Sequence, residues 1–144
     1  MRHLRRLRGI SNLNAVLLLR AALLVAGIRV ALWLLPFSCW RRLALASWPL
    51  HASQEPDSSV DRLAWAVSRV SRFIPGATCL TQALALMRLL LRSGRLATLH
   101  VGVAKSADGR FEAHAWVDSG GKTVIGGSAI EHYVPLLQWG KPSS

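Results

Sequence analysis

The stretch from residue 75 to residue 84 reads Pro75-Gly76-Ala77-Thr78-Cys79-Leu80-Thr81-Gln82-Ala83-Leu84 and opens a strongly apolar segment. A Pro-Gly turn comes first, and Thr78 is a residue type that caps helix N-termini. Gly94 is a typical helix stop, so the pattern predicts a helix over residues 79–93. This segment is apolar on almost every side, which is typical of a helix buried at the centre of a fold.

The first residue of this predicted helix is a cysteine. A thiol at a helix N-terminus faces unpaired backbone N–H groups and the positive end of the helix dipole, which favours the thiolate. A histidine on a neighbouring strand would complete a nucleophile–base pair. Cys79 is therefore the candidate nucleophile, although a free cysteine also often serves as a small buried hydrophobe. Cys39 lacks such a setting and is predicted to be structural.

After Gly94 the apolar period changes from that of a helix to that of a strand. Asp108-Gly109 is typical of a two-residue hairpin turn, and a second turn is predicted over residues 119–121. Three antiparallel strands are predicted, at residues 97–103, 110–118 and 122–126. A short helix is expected after them, over residues 130–138. Helices followed by an antiparallel sheet make an α+β fold.

Strand alternation identifies the candidate base. A two-residue loop at Asp108-Gly109 would place His114 opposite Val103, on an apolar face that should pack on the Cys79 helix. His100 would then lie on the opposite face of the sheet. We therefore interpret His114 as the partner of Cys79, against the alternative of a hydrogen-bonded core histidine.

The first half of the chain has a different character. Residues 13–35 are apolar except for Arg20 and Arg29, which are nine residues apart and so point to opposite sides of a helix. An arginine near the centre of a bilayer costs about 2.5–3.5 kcal/mol, which disfavours a spanning helix. We interpret this segment as helices that pack on the rest of the chain, with a candidate peripheral contact to a membrane. A polar linker at residues 50–58 suggests an N-terminal subregion, 1–57, and a second unit, 58–144.

The charge distribution is strongly uneven. Lysine and arginine exceed aspartate and glutamate by eleven, and the first acidic residue is Glu55. Such asymmetry suggests an anionic partner, for which a membrane surface, an acidic peptide and nucleic acid are the choices. No recognised nucleic-acid motif is present, so nucleic-acid binding is not expected. Two separated cysteines give no metal-site spacing and no phosphate loop is found, so no metal or cofactor is expected. Two cysteines that are far apart in the sequence also fit a protein of the reducing cytoplasm.

The motifs together resemble one family. The chain is similar to the transglutaminase-like lasso peptide biosynthesis B2 proteins, which are leader peptidases related to the microcin J25 processing enzyme. The similarity covers about residues 58–140. The segments that carry it are Pro75-Gly76-Ala77-Thr78-Cys79-Leu80 with Ala83-Leu84, Gly102-Val103, Ala113-His114-Ala115-Trp116-Val117, and Val124-Ile125-Gly126-Gly127.

The resemblance implies a papain/transglutaminase-like α+β fold and a cysteine peptidase without a cofactor. Cys79 would be the nucleophile and His114 the general base, which removes the leader from a ribosomally synthesised lasso precursor peptide. Gln82 is a candidate for oxyanion or substrate contact, and Trp116 for a wall of the groove or the core. No winged-helix-like segment precedes residue 58, so the resemblance implies a separate leader-recognition protein and a separate lasso cyclase as partners.

One departure from the family concerns the third catalytic member. The resemblance implies an aspartate about a dozen residues after the histidine, where this chain has Gly126. His114 could instead be oriented by a backbone carbonyl, by Ser128 or by an acid from elsewhere. Asp118 shares its strand face but lies four residues away, about 13 Å at ~3.3 Å per residue.

Two other functions remain open at this level. The first is a membrane-associated scaffold protein in which Cys79 and His114 belong only to the core. The second is a thiol acyltransferase of the transglutaminase type, which would form the same thioester and pass it to an amine rather than to water.

Overall fold

The computed structural model describes residues 2–36, 38, 39 and 58–140 of the chain. Helices come first and an antiparallel sheet follows, so the predicted α+β class is confirmed. The α-helices are α1 (Arg2–Leu34), α2 (Ser58–Ser71) and α3 (Cys79–Arg92). The strands are β1 (Thr98–Lys105), β2 (Phe111–Ser119), β3 (Lys122–Ile125) and β4 (Val134–Gly140).

Helix α3 lies at the centre, between the other two helices and the sheet. Its bounds agree with the prediction: Thr78 is the N-cap, and Ser93 is the C-cap. Its long apolar side chains account for this position, since Leu86 and Leu90 are fully buried. A helix that is apolar on most sides has no stable place at a surface, so the other elements pack around it.

The sheet has the strand order β3-β2-β1-β4. The prediction of a helix over residues 130–138 is wrong, because that segment forms a 3₁₀ turn (Ile130–His132) and then strand β4. Strand β4 pairs with β1 along the edge opposite to β2. Its pairing satisfies backbone groups of β1 that would otherwise be left at the edge. The irregular register between Val101 and Gly102 accommodates an extra residue in β4.

The turn between β1 and β2 is longer than the two residues predicted. Lys105 pairs with Phe111, and residues 106–110 form the loop, closed by a 2.8 Å hydrogen bond from the Ser106 N–H to the Arg110 carbonyl. The Ser106 hydroxyl contacts Asp108, and this hydrogen bond lowers the pKa of the exposed Asp108 carboxyl. The predicted register is therefore wrong by one residue.

This shift changes which side chains share a face of the sheet. His114 lies opposite Gly102 rather than Val103, and Trp116 lies opposite His100. His100 is therefore on the same face as His114, contrary to the prediction. The face that packs in the core with the helices is the other one, which carries Leu99, Ala115 and Val117. A one-residue slip exchanges the two faces of a strand, and this is such a case.

Helix α1 runs for 33 residues and ends at Leu34, two residues before Pro36. One side packs on α2 and α3, where Ala21, Val25 and Ile28 are buried. Arg20 is exposed, whereas Arg29 is half-buried, in agreement with the prediction that they point to opposite sides. The linker at residues 50–57 lies outside the described residues, and the division of the chain at residue 57 stays a prediction.

The segment Asn14–Leu34 is long and apolar enough to cross a membrane by its length and composition. Its inner side is covered by α2 and α3, while its other side leaves large apolar side chains exposed, among them Leu19, Leu23 and Trp33.

Candidate functional site

Cys79 is the first residue of α3 and is a free, half-buried cysteine that packs against the hydrophobic core. The Thr78 backbone carbonyl accepts a 3.1 Å hydrogen bond from the Gln82 N–H, and the Thr78 hydroxyl lies 3.5 Å from the Thr81 nitrogen. The N–H groups at the very start of a helix have no partner within the helix. The Cys79 thiol therefore lies at the capped N-terminus of α3, where the first backbone N–H groups point out of the helix.

The turn before Cys79 depends on a glycine and on an arginine from α1. Gly76 has a φ of +73°, and a Cβ placed there would lie 2.6 Å from both Nε and Nη2 of Arg29. The guanidinium of Arg29 thus lies against the turn that leads to the nucleophile, and its Nε is buried without a hydrogen-bond partner. In the sequence, Arg29 is only an interruption of an apolar segment. A lone charge in such a segment was the available signal, since buried charges are often functional.

His114 is half-buried on β2, a strand that packs on α3. Its Nε2 lies 2.7 Å from the backbone carbonyl oxygen of Gly126. A carbonyl oxygen can only accept, so Nε2 must carry the proton of this hydrogen bond. In the neutral ring Nδ1 is then unprotonated and able to accept a proton. This assigns the orientation of His114 to a backbone carbonyl, one of the alternatives left open by the sequence.

The position of the expected aspartate has no room for a side chain. Gly126 has a φ of +74°, and a Cβ there would lie 2.6 Å from the carbonyl oxygen of Ala115 on the neighbouring strand. Both the conformation and the close backbone approach require glycine. The missing acid is therefore a consequence of the local backbone, which brings its own carbonyl to His114 instead.

We expect Gly126→Ala to destabilise the fold and to displace the Gly126 carbonyl from His114. Gly120→Ala is the matched control, because Gly120 also has a positive φ, +61°, but a Cβ there meets nothing within 4 Å. The left-handed conformation alone should cost each variant about 1–2 kcal/mol. The clash should cost Gly126→Ala at least about 1 kcal/mol more in urea unfolding. Equal losses in the two variants would contradict the close approach.

Asp118 is paired with the other histidine of this face. Its carboxylate lies 3.0 Å from Nε2 of His100 and accepts a 2.7 Å hydrogen bond from the Thr123 hydroxyl. Asp118 is therefore used by His100, while His114 has the Gly126 carbonyl. Ser128, the other candidate orienting group, is exposed. The sequence does not predict the His100–Asp118 pair, because a two-residue loop at Asp108-Gly109 would put His100 on the other face.

Trp116 stands between the two histidines. Its ring is nearly parallel to that of His100, at a centroid distance of 5.3 Å, and lies 6.2 Å from that of His114. Tyr133 packs on the far side of His114 at 5.1 Å. Trp116 is only 6% exposed, so it is part of the packed interior of this face rather than an open groove wall. Gly102 makes room for it, since a Cβ there would lie 3.1 Å from the indole.

Gln82 reaches back to the turn before the helix, where its Nε2 lies 3.5 Å from the Ala77 carbonyl oxygen. This contact ties the first turn of α3 to the segment that precedes it. Cys39, by contrast, is exposed and lies five residues beyond the end of α1. Among the described residues, no group of three or more His, Cys, Asp and Glu side chains is placed to hold a metal ion.

The two predicted catalytic residues, Cys79 and His114, lie on neighbouring elements of the fold. Helix α3 packs on strand β2 through the face that carries Ala115 and Val117, whereas the His114 side chain lies on the opposite face of that strand. No hydrogen bond joins the two side chains themselves, both of which are among the described residues. The structure therefore does not bring the Cys79 thiol and the His114 ring into contact, and their pairing stays a prediction.

Comparison with known proteins assigns the family. Residues 22–138 match the model of the transglutaminase-like superfamily, and this match covers most of the chain. Neither a curated protein nor a solved structure is a significant match. The matched region includes residues 22–34 of α1, helices α2 and α3, strands β1 to β3 and most of β4. The chain therefore belongs to the transglutaminase-like superfamily, with a fold compatible with cysteine peptidase or acyltransferase activity.

Proposed function

We propose that this protein is a cysteine peptidase that removes the leader from a ribosomally synthesised lasso precursor peptide. The observation that carries the proposal is Cys79, a free and half-buried thiol at the capped start of the central helix of a transglutaminase-like chain. A thiol in this place has the dipole and the unpaired N–H groups that a nucleophile needs.

The first half of the reaction is the acylation of Cys79. The thiolate sulfur attacks the carbonyl carbon of the peptide bond between leader and core, and a tetrahedral oxyanion forms. The backbone N–H groups at the start of α3 stabilise this oxyanion. The carbon–nitrogen bond then breaks, which leaves the leader as a thioester on Cys79 and the core peptide as the leaving amine.

His114 carries the proton between these steps. Its Nε2–H donates to the Gly126 carbonyl, so Nδ1 accepts the thiol proton and the ring becomes an imidazolium. The imidazolium then protonates the leaving amine of the core peptide. In the second half, His114 takes a proton from water, the hydroxide attacks the thioester, and the leader leaves as a carboxylic acid with Cys79 restored.

The direction of the chain favours His114 over His100 as the base. Strand β1 leaves α3 through residues 93–97 and packs back along it, so the end of β1 near Lys105 lies towards the start of the helix. The Ser119 hydroxyl donates to the Leu96 carbonyl at 2.8 Å, which places the end of β2 beside this connection. His114 pairs with Gly102, which is two residues after His100 on β1. Along the strands it is therefore about 7 Å closer to the Cys79 end of α3 than His100 is.

The substrate class and the partners rest on the sequence resemblance. The segments around Cys79, His114 and Gly126 resemble the lasso peptide B2 proteins, and this supports a precursor peptide as substrate. It also supports a separate leader-binding protein that delivers the leader, and a separate cyclase that receives the released core.

The test is a cleavage reaction with the full-length chain and a lasso precursor peptide, with and without the separate leader-binding protein. Mass spectrometry should find free leader and free core, and the leader-binding protein should accelerate their formation. Added hydroxylamine distinguishes transfer of the leader to water from transfer to an amine. A thioester should give leader hydroxamate as well as leader acid when hydroxylamine is present. Cleavage only when an amine is present would instead favour the acyltransferase function. No cleavage under any of these conditions would contradict both.

A further inference from the structure

We propose that the outer face of α1 docks on a membrane surface rich in anionic lipid, with the helix lying along the interface between lipid and water. The inference is independent of the peptidase proposal. It rests on the apolar side of α1 that the described part of the protein leaves uncovered, and on the charges that accompany it.

The large apolar side chains of α1 divide cleanly between two sides of the helix. At ~100° per residue, one stripe falls opposite the side that packs on α2 and α3. The buried side is formed by Ala21, Val25 and Ile28. The exposed stripe is formed by Val16, Leu19, Leu23, Val30, Trp33 and Leu34. It extends for about 27 Å at ~1.5 Å per residue, which is far more apolar surface than scattered single side chains present.

An in-plane arrangement fits this helix better than a spanning one. The inner side of α1 is packed on α2, so a helix that crossed the bilayer would draw α2 into the hydrocarbon. Helix α2 exposes the charged residues Asp61, Arg62 and Arg69, each of which is costly in that environment. With the helix in the interface, the stripe enters the acyl region while the rest of the protein stays in water.

The charges select an anionic lipid surface as the occupant. The first two turns of α1 carry four arginines, Arg2, Arg5, Arg6 and Arg8, and Arg20 is exposed beside the stripe. No acidic residue occurs in the chain before Glu55. A second copy of the chain would bring the same positive charge to this face and be repelled, whereas anionic headgroups attract it. Trp33, which is 78% exposed at the other end, is a residue type that favours the lipid interface.

The experiment is co-sedimentation of the full chain with two kinds of vesicle. One contains phosphatidylcholine and phosphatidylglycerol in equal parts, and the other contains phosphatidylcholine alone. We expect binding to the first kind, much weaker binding to the second, and weaker binding to the first kind at high salt, which screens the charges. The double variant L19Q/L23Q should lose roughly tenfold or more in partitioning, because two leucines no longer enter the lipid. The variant R5Q/R6Q should also lose about tenfold or more.

Phe111→Gln is the matched control, since Phe111 is 79% exposed at the start of β2 and does not belong to the stripe. It should bind like the wild type, and circular dichroism should show that all variants keep their helix content. Equal binding to both kinds of vesicle, or unchanged binding by L19Q/L23Q, would overturn the proposal. Binding to the anionic vesicles that does not weaken at high salt would contradict the role of the charges. A dimer in lipid-free solution that L19Q/L23Q dissociates would assign the face to a second copy instead.

Discussion

Substitution of Cys79 by alanine is expected to lower the rate of precursor cleavage by at least about 10³-fold, to the background rate. The reason is that the covalent step needs the sulfur: without it neither the thioester nor the two-step hydrolysis can form. Cys79→Ser should be nearly as inactive, because a hydroxyl is a far weaker nucleophile without a stronger base beside it. The measurement is the appearance of core peptide by mass spectrometry under single-turnover conditions.

Two controls make this result specific. Cys39→Ala removes the other free cysteine, which is exposed, and should keep wild-type activity. Because Cys79 packs against the core, thermal unfolding of Cys79→Ser should be compared with that of the wild type. A thioester adduct on wild-type protein, trapped by rapid acid quench and absent from Cys79→Ser, would support the assignment. Full cleavage by Cys79→Ala would contradict the proposed function, and an active protein without any adduct would contradict its covalent mechanism.

The central helix could be predicted closely from the sequence because its signals are local. Thr78 supplies the cap, the apolar positions are dense, and Gly94 ends the pattern. These features act within a few residues of each other, so no knowledge of the partners is needed. For the same reason Cys79 could be placed at the first position of α3 from its neighbours alone.

The register of β1 and β2 could not be predicted from the turn dipeptide alone. Asp108-Gly109 is a strong turn signal, yet the Ser106 side chain and the Arg110 carbonyl hold a longer loop that moves the register by one residue. The length of the loop depends on side-chain hydrogen bonds that the turn dipeptide does not specify. Both faces of β1 and β2 carry large side chains, so the sequence pattern does not reveal which face packs on the helices; Trp116, on the other face, is itself only 6% exposed.

Strand β4 and the contact at Gly126 depend on tertiary structure in the same way. A short apolar segment such as residues 134–139 fits a helix or a strand by periodicity, and its pairing with β1 decides between them. The sequence showed that an acid was absent from position 126 but not why. The reason is the approach of the Ala115 carbonyl, which comes from a different strand.

Because His100 and His114 lie on the same face of the sheet, a comparison of their variants is the sharpest test of the site. Both lie on the same face, one on each side of Trp116, and both use Nε2 in a hydrogen bond. We expect His114→Ala to lower the acylation rate by about 10²–10⁴-fold, the usual contribution of a general base. His100→Ala should reduce it by less than about tenfold, since His100 is expected to support the indole rather than to move a proton.

Chemical rescue separates a base from a positioning residue in this comparison. Added imidazole should restore part of the acylation rate of His114→Ala, because it can take the proton that the missing side chain took, whereas it should not help His100→Ala or Asp118→Asn. His132→Ala is a suitable control, because His132 is an exposed histidine in the 3₁₀ turn. If His100→Ala and Asp118→Asn instead abolished the reaction while His114→Ala retained it, the His100–Asp118 pair would be the base. The catalytic residues would then be Cys79, His100 and Asp118, and the Gly126 carbonyl would have only a structural role.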